Sequence, residues 1–332
     1  PMIWTVDGFA PAPQQEATLI YKFALKEARA VYLAKGQVPG RVLNQFSMDE
    51  NKGSFRIATT LGQSWMSSID ESSNNVYILN NDLYIAAKLE NLAPGERIYS
   101  VRFLNDRGYM VTFRTIDPLF VIDLADPKAP TVLGTLKIPG YSDYLHPYDE
   151  NHIIGFGKDT ITVPYKDSSG NVISSNTYDM GMKIALFDVS DVKNPVQKYS
   201  VKIGDRGTDS ELLYDHKALL FDKTKNLLAF PVNETKVEGP VIDPVYGYPN
   251  YGNLVFNGAY VYQLDLQQGF ALKGRVSHLK DQDYMESGYY DVDYNKKIRR
   301  ILYIDNTLYG ISNNEVSAYD LNTLKEFASV KK

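Results

Sequence analysis

The sequence predicts an all-β fold, a β-propeller of four-stranded antiparallel blades, and two observations carry this prediction. Residues that favour strands dominate, since the chain has 25 Tyr and 14 Phe and many short runs of Val and Ile that end at Gly, Pro, Asn or Asp. A four-strand pattern also recurs along the chain. Helical spacing is weak, and its best match, residues 24–32, fits two strands joined by residues 26–29 better.

In each repeat, a strand, an acidic tight turn and a second strand precede a third strand that ends in hydrophobic-Asp-hydrophobic or a close variant. After two of these third strands, Asp126 and Asp191 each stand four residues before a proline. The aspartate can cap the turn, and the proline can start an outer strand, where a missing N–H is tolerated. The third strands are VYILN (76–80), LFVIDL (119–124), IALFDVS (184–190), YVYQLDL (260–266) and VSAYDL (316–321).

The repeats predict one propeller domain over residues 1–332, with five complete blades. The shortest blade has the usual length of about 40–45 residues. Residues 1–40 form a partial or sixth N-terminal blade, or the start of a larger ring of about seven or eight blades. Because the chain opens at Pro1 without an initiator or a signal-peptide pattern, we expect it to be a piece of a longer protein. The predicted blades are residues 41–96, 97–140, 141–204, 205–279 and 298–330.

Composition excludes several classes of function. The net charge is -5, and we expect no nucleic-acid partner, because phosphate recognition needs a positively charged surface. No apolar run approaches the roughly 18 residues of a membrane helix, so no transmembrane segment is expected. The chain has no cysteine, which excludes disulfides, thiol catalysis and thiolate metal sites.

Several long segments resemble a known family. They include GRVLNQFSMDE, ERIYSVRFLNDRGYMVTFRTIDPLFVIDLADP, YLHPYDENHIIGFG, GMKIALFDVSDV and GDRGTDSELLYDHKALLF. Over about residues 21–330, the chain resembles the secreted bacterial and archaeal proteins that carry a C-terminal β-propeller distantly related to WD-repeats. The resemblance implies a propeller fold and a secreted or cell-surface location, and it implies no reaction.

Three long insertions interrupt the regular spacing: residues 158–182, 231–258 and 279–297. In an up-and-down meander the strand direction alternates, so these connections are all expected on one face, around one mouth of the central channel. Long loops without structure of their own are usually functional or disordered. We therefore expect this face to carry the function.

The insertions are rich in tyrosine and acid. They hold nine of the 25 tyrosines, eleven acids and six lysines. The net charge of the insertions is therefore -5, the same as that of the whole chain. Tyrosine offers a large amphipathic contact area at low entropic cost, as binding loops exploit. The alternative is that these tyrosines only pin the insertions onto the domain while the acids keep them soluble. The binding candidates are Tyr246, Tyr248, Tyr251, Tyr289 and Tyr290.

Charged residues recur near the starts of first strands, which line the channel of a propeller. They could converge at its mouth as a binding site, but salt bridges between blades are the favoured interpretation, because a buried charge must be paired. These candidates are Arg41, Arg97, Arg102, Asp143, His146, Asp215, His216, Arg299 and Arg300.

Metal binding is a weaker hypothesis. Calcium suits the acidic insertions, because hard cations prefer oxygen ligands. A zinc site that uses His146, His216 and Asp215 is a further alternative, although no helical His-Glu-x-x-His motif exists. The calcium candidates are Asp205, Asp209, Glu211, Asp291 and Asp293.

The leading hypothesis for function is an extracellular or cell-surface scaffold that binds protein or glycan on the insertion-bearing face. The first alternative is a polysaccharide-acting glycosidase or lyase with acids at the channel mouth, since two suitably spaced carboxylates suffice. The second is a structural surface-layer module. Catalysis is the less favoured class, because the chain has no nucleophile elbow and no phosphate loop.

Overall fold

The structure, a computed structural model, describes residues 16–62, 72–113, 117–286 and 292–331. The predicted strand at residues 2–6 lies outside these ranges. The chain separates into two compact units. The first comprises residues 1–114 and 119–135, and the second comprises residues 115–118 and 136–332.

The first unit contains a two-stranded hairpin, one antiparallel sheet and most of a second. The hairpin confirms that residues 24–32 form two strands around a tight turn, not a helix. Its strands are β1 (Ala17–Lys26) and β2 (Arg29–Pro39). The next sheet comprises β3 (Arg41–Val42), β4 (Met48–Asn51), β5 (Ser54–Leu61), β6 (Ser73–Leu79) and β7 (Ile85–Leu92). The following sheet comprises β8 (Arg97–Leu104), β9 (Arg107–Phe113), β10 (Asp117–Asp123) and β11 (Thr131–Ile138).

The second unit contains three four-stranded sheets, each with its strands in chain order. The first has β12 (Tyr141–Pro147), β13 (His152–Lys166), β14 (Val172–Asp188) and β15 (Val196–Ile203). The second has β16 (Leu220–Asp222), β17 (Leu227–Lys236), β18 (Asn253–Asp265) and β19 (Gly269–Val276). The third has β20 (Arg300–Ile304), β21 (Thr307–Ile311), β22 (Glu315–Asp320) and β23 (Glu326–Lys331). These antiparallel meanders confirm the all-β prediction.

The repeated aspartate at the end of the third strands has a local structural cause. Asp123, Asp188, Asp265 and Asp320 each use Oδ1 to accept a hydrogen bond from the backbone N–H two residues further on. This Asx-turn starts the connection to the fourth strand in each of these four sheets. The aspartate that recurs in these four repeats therefore forms a turn and does not mark a shared binding site.

Burial is concentrated in the second and third strands. In β17, for example, the first six residues are all buried, whereas every residue of β23, a fourth strand, is exposed. Two fully buried rings, Phe156 of β13 and Phe230 of β17, meet edge to face with centroids 5.7 Å apart. Aromatic contact of this kind adds to the stability that burial itself provides.

The insertions have more structure than the sequence suggested. The first is a β-hairpin, because β13 and β14 stay paired as far as Lys166 and Val172. Much of the second insertion belongs to β17 and β18, and only residues 237–252 form a loop. The third contains a short helix, α1 (Asp281–Glu286). The expectation of long loops without structure is therefore wrong for the first insertion and only partly right for the others.

Substitution of Phe230 by alanine tests the buried contact between sheets. We expect F230A to lower the free energy of unfolding by about 3–5 kcal/mol, because it opens a cavity beside Phe156. Phe327, which is 64% exposed, provides the control, and F327A should stay within about 0.5 kcal/mol of the parent. Urea unfolding followed by tyrosine fluorescence measures both, and equal losses in the two variants would contradict this account.

His278 predicts a pH dependence of stability. Burial lowers the pKa of its imidazole, although the carboxylates of Glu315 and Glu326 and nearby backbone groups act in the opposite direction. An unfolded histidine takes up its proton at about pH 6.5. The unfolded state therefore binds more protons below that pH, and the native state loses stability as the pH falls from about 6.5 towards the lower pKa of the native state.

Melting curves of the parent and His278→Gln between pH 7.5 and 5 test this prediction. We expect the melting temperature of the parent to fall more steeply below pH 6.5 than that of the variant. Equal slopes would show that His278 does not control the effect.

Candidate functional site

The segment between β15 and β16, residues 204–219, carries six Asp, Glu, Lys or Arg side chains, and we call it the charged connection. Gly204 has a φ of +63° and Gly207 a φ of +105°, a region that favours glycine. Two 3-10 turns follow, and Ser210 and Asp215 cap them by accepting backbone N–H groups. These turns present the carboxylates of Asp209, Glu211 and Asp215 from one short segment.

Ion pairs join the charged connection to both neighbouring sheets of its unit. Lys158 Nζ lies 2.9 Å from Asp209 Oδ1, on the side of β13. On the side of β20, Arg299 Nη2 lies 2.7 Å from Glu211 Oε1, and Arg300 pairs with Asp215. The hydrogen bond that Arg299 donates to Glu211 raises the pKa of Arg299. The interpretation of these residues as structural ion pairs is therefore supported for Asp215, Arg299 and Arg300.

The two histidines predicted to line the channel, His146 and His216, both contact the side chain of Tyr144. The Nδ1 atom of His146 is 3.0 Å from the Tyr144 hydroxyl, and the ring of His146 meets Phe221 edge to face at 5.1 Å. The ring of His216 lies 6.1 Å from that of Tyr144. Asp143 lies on the same strand, β12.

Residues 237–252 form an ordered loop that we call the aromatic loop. Asp243 Oδ1 accepts hydrogen bonds from the N–H groups of Val245 and Tyr246, each at 2.8 Å. The backbone N–H of Asp243 donates to the carbonyl of Tyr248, also at 2.8 Å. The loop therefore holds its own shape, and this order lowers the entropic cost of a later contact.

Arg206 of the charged connection holds the aromatic loop in place. Its guanidinium lies 4.1 Å from the ring centroid of Tyr251 and 5.1 Å from that of Tyr178, and it also donates a hydrogen bond to the carbonyl of Pro249. Tyr178 belongs to the first insertion and Tyr251 to the second. One arginine therefore connects both insertions.

The second and third insertions also meet. Leu254, Leu279 and Val292 form a buried cluster with Tyr284 packed against it. The Tyr284 hydroxyl accepts a hydrogen bond from the backbone N–H of Asn257 at 2.9 Å. The first and second insertions are therefore joined through Arg206, and the second and third contact each other directly, while their common face stays a prediction.

The predicted binding tyrosines fall into three groups. Tyr251 is held by Arg206, so it helps to position the aromatic loop. Tyr246 and Tyr248 stack on each other at 5.6 Å and are 64% and 42% exposed, so both remain accessible. Tyr289 and Tyr290 lie outside the described residues.

Three predicted site arginines lie in the first unit. Arg41 pairs with Glu16 at 2.6 Å. Arg97 lies over the ring of Tyr99, and Arg102 lies over the ring of Phe46. Each of these contacts is made within the first unit, and none of them involves the charged connection.

The carboxylates proposed as calcium ligands have protein partners. Asp205 accepts the N–H of Val237, Asp209 accepts the Tyr214 hydroxyl in addition to its pair with Lys158, and Asp293 caps a 3-10 turn. Within the described ranges, no group of three or more His, Asp or Glu side chains is placed to hold a metal ion, either at the calcium candidates or at the zinc candidates. Asp291 lies outside those ranges. Calcium and zinc therefore stay predictions that this geometry does not favour.

Sequence reasoning missed two residues that organise the site, Arg206 and Lys158. The signal for Arg206 was its position in Gly-Asp-Arg-Gly directly after a strand, where two glycines permit a sharp path. Lys158 opens an insertion but lies 51 residues from Asp209 along the chain, and no local pattern connects the two.

The described residues thus define a class of protein: an all-β domain of four-stranded meanders, with insertions and ion pairs gathered at strand ends in its second unit. A family model for the beta propeller domain matches residues 7–324. The chain therefore belongs to the beta-propeller domain family. The narrower resemblance to secreted members stays a prediction.

Two archaeal proteins are similar in sequence. An uncharacterised protein of Methanocaldococcus jannaschii is 36% identical over 289 residues, which cover 86% of this chain and 36% of that protein. An uncharacterised protein of Archaeoglobus fulgidus is 33% identical over 321 residues, which cover 96% of this chain and 40% of that protein. The chain thus spans well under half the length of either relative.

Two solved structures resemble the chain at low sequence identity. The match to the C-terminal WD40 domain of Sif2 has a TM-score of 0.43 at 10% sequence identity, and it covers 96% of this chain and 67% of the Sif2 chain. The match to a chain of the Mitotic Checkpoint Complex has a TM-score of 0.40, also at 10% identity, and it covers 100% of this chain and 75% of the matched chain. Likeness at this level carries no argument about function.

Among the described residues, no helix has the length and apolar character needed to cross a membrane.

Substitution of Arg206 by alanine tests the clamp on the aromatic loop. The variant loses two hydrogen bonds, to the Pro249 carbonyl and the Tyr251 hydroxyl, and two cation–π contacts, so backbone amides in residues 237–252 should exchange about tenfold faster, which corresponds to about 1.4 kcal/mol of local stability. Hydrogen exchange followed by mass spectrometry measures this. R97A is the matched control, because Arg97 also lies over a tyrosine but in the first unit. Unchanged exchange in R206A would show that the loop is ordered without the clamp.

Proposed function

We propose that this chain is an interaction scaffold that binds a protein partner through the aromatic loop. The observation that carries the proposal is the exposed, stacked pair of Tyr246 and Tyr248 on a loop that is ordered before any partner arrives. Tyrosine is enriched in protein interfaces, where its ring is buried and its hydroxyl finds a hydrogen-bond partner.

The surroundings of the pair favour a polypeptide over a glycan. Val245 is 80% exposed beside Tyr246, and Val241 is 45% exposed at the start of the loop. Exposed aliphatic side chains gain from contact with apolar side chains of a partner, whereas they gain little from the hydroxyl groups of a sugar.

The partner segment is therefore expected to carry aliphatic or aromatic side chains. The secreted or cell-surface location stays a prediction, as does the surface-layer alternative.

The enzymatic alternative requires two free carboxylates that face one substrate. Two acids of the charged connection, Asp209 and Glu211, do not meet this requirement, because each is paired with a cation of the protein.

A peptide-array screen with the purified chain, followed by titration of the strongest binding peptide, tests the proposal. We expect the double variant Y246A/Y248A to raise the Kd at least tenfold, which is about 1.4 kcal/mol and ordinary for interface aromatics. Y84A is the matched control, because Tyr84 is 71% exposed in the first unit, and it should change the Kd less than twofold. A screen without any binder, or a Kd that the double variant leaves unchanged, would overturn the proposal.

A further inference from the structure

The hairpin of β1 and β2 has an exposed apolar face that the proposed function does not use. Successive side chains of a strand point to opposite faces. On one face of β1, four consecutive positions carry Leu19, Tyr21, Phe23 and Leu25, which are between 50% and 87% exposed. Tyr32 of β2 pairs with Phe23 on the same face, with ring centroids 6.0 Å apart. We call these five residues the outer face.

The opposite face of the hairpin is already packed. Ile20 of β1 and Ala34 of β2 lie against a buried cluster that includes Val38. A strand with one solvated face alternates apolar and polar residues, whereas a strand covered on both faces is apolar nearly throughout. The strand β1 follows the second pattern, since only Lys22 interrupts the apolar run LIYKFAL (19–25).

The strand β15, the fourth strand of a sheet in the second unit, shows the pattern of a solvated face. It also exposes every other side chain, but after Val196 these are Lys198, Ser200 and Lys202. The outer face has no such polar position on β1 between residues 19 and 25. It therefore has the composition of a covered surface, because burial of apolar area is favourable.

The charge of the outer face distinguishes between partners. Lys35 pairs with Tyr21 across the hairpin, and its ammonium group lies 5.5 Å from the centroid of that ring. Gln37, which pairs with Leu19, is polar but uncharged. Recognition of anionic lipid headgroups takes a cluster of several cations, so a membrane surface does not fit this face. An identical face fits better, because it adds only one further cation.

The outer face is also self-complementary. Along β1 it reads the same in both directions: a leucine, two aromatic residues and a leucine. A two-fold axis midway between Tyr21 and Phe23 places Leu19 opposite Leu25 of a second copy, and Tyr21 opposite Phe23 of that copy. Every contact then occurs twice, as in the isologous interface of a homodimer.

The exposed area is sufficient for a dimer. Aromatic side chains present up to about 250 Å² each, so three half-exposed rings and two leucines offer on the order of 600 Å² per copy. A two-fold contact between outer faces then buries on the order of 1,200 Å², which reaches the range of specific, stable interfaces.

We propose that the chain forms a two-fold symmetric homodimer in which the outer faces of two hairpins pack against each other. This interface uses no residue of the aromatic loop. It therefore adds self-association to the proposed binding of a protein partner.

Sedimentation velocity of the purified chain tests the proposal. Over a series from about 1 to 200 µM, we expect the mass to rise from that of one chain to that of two, with a Kd in the micromolar range. A chain that stays monomeric throughout would overturn the proposal. Binding of such a monomer to phosphatidylglycerol vesicles would also overturn it, because a lipid surface would then cover the face.

Phe23→Asp and Phe327→Asp form a matched pair. F23D places a charge at the centre of the outer face, so it should raise the Kd of the dimer at least about tenfold. Phe327 is 64% exposed on β23 in the second unit, and F327D should change that Kd less than twofold. If F23D fails to fold, L25D answers the same question, because Leu25 is 87% exposed. Equal effects of F23D and F327D would contradict the interface.

Engineered thiols test the two-fold arrangement, since the chain has no cysteine of its own. Packed sheets lie about 10 Å apart, and six residues along a strand span about 20 Å. A bismaleimide that spans about 10 Å should therefore join L19C to L25C when the two variants are mixed, and neither variant to itself. Cross-linking of each variant to itself, without a mixed product, would rule out the antiparallel packing.

The two proposals fail independently. F23D should leave the Kd of the array-selected peptide unchanged, and Y246A/Y248A should leave the Kd of the dimer unchanged. Loss of both functions in either variant would show that the outer face and the aromatic loop are not separate surfaces, which would overturn the dimer interface as described.

Discussion

Burial of the second and third strands is the constraint on which the rest of this structure depends. Their buried stretches, such as the unbroken run from Leu227 to Val232, cannot carry an accessible site. The inserted segments are accommodated where strands end, and there the backbone must still satisfy its hydrogen bonds. The Asx-turns after the third strands meet that need on one side. The insertions occupy other strand ends, where β13, β14, β17 and β18 extend beyond their sheets.

The charged connection converts these strand ends into one organised region of the second unit. Its side chains reach in both directions, to Lys158 on one side and to Arg299 and Arg300 on the other. Exposed ion pairs contribute little to stability singly, but here several share one short segment and fix its position. Arg206 uses that fixed position to hold the aromatic loop. The position of the loop thus depends on the packing of the sheets to which the charged connection is paired.

The fold was predictable because its signals are local. Strand propensity, turn residues and the repeated aspartate all act within a few residues of one another, and Asp188, for example, bonds to the residue two positions ahead. The hairpin of the first insertion was missed because its Ser- and Asn-rich sequence resembles a loop, and strand pairing depends more on context than on propensity. The site was predictable only as a set of residue types. Arg299 and Glu211 are 88 positions apart, and no pattern along the chain connects them.

The acidity of the insertions also acquires a different meaning in the structure. Asp159 pairs with Lys202 at 2.6 Å, Glu234 with Arg275 at 3.2 Å, and Asp283 with Lys296 at 2.5 Å. Asp159 and Glu234 thus hold their insertions to their own sheets, Asp283 pairs within the third insertion, and Asp243 is engaged in ordering the aromatic loop. They are therefore not a free negative surface that attracts a cationic partner over a distance. Because the accessible part of the loop is aromatic and aliphatic, the proposed recognition rests on apolar contact at short range, and salt should weaken it little.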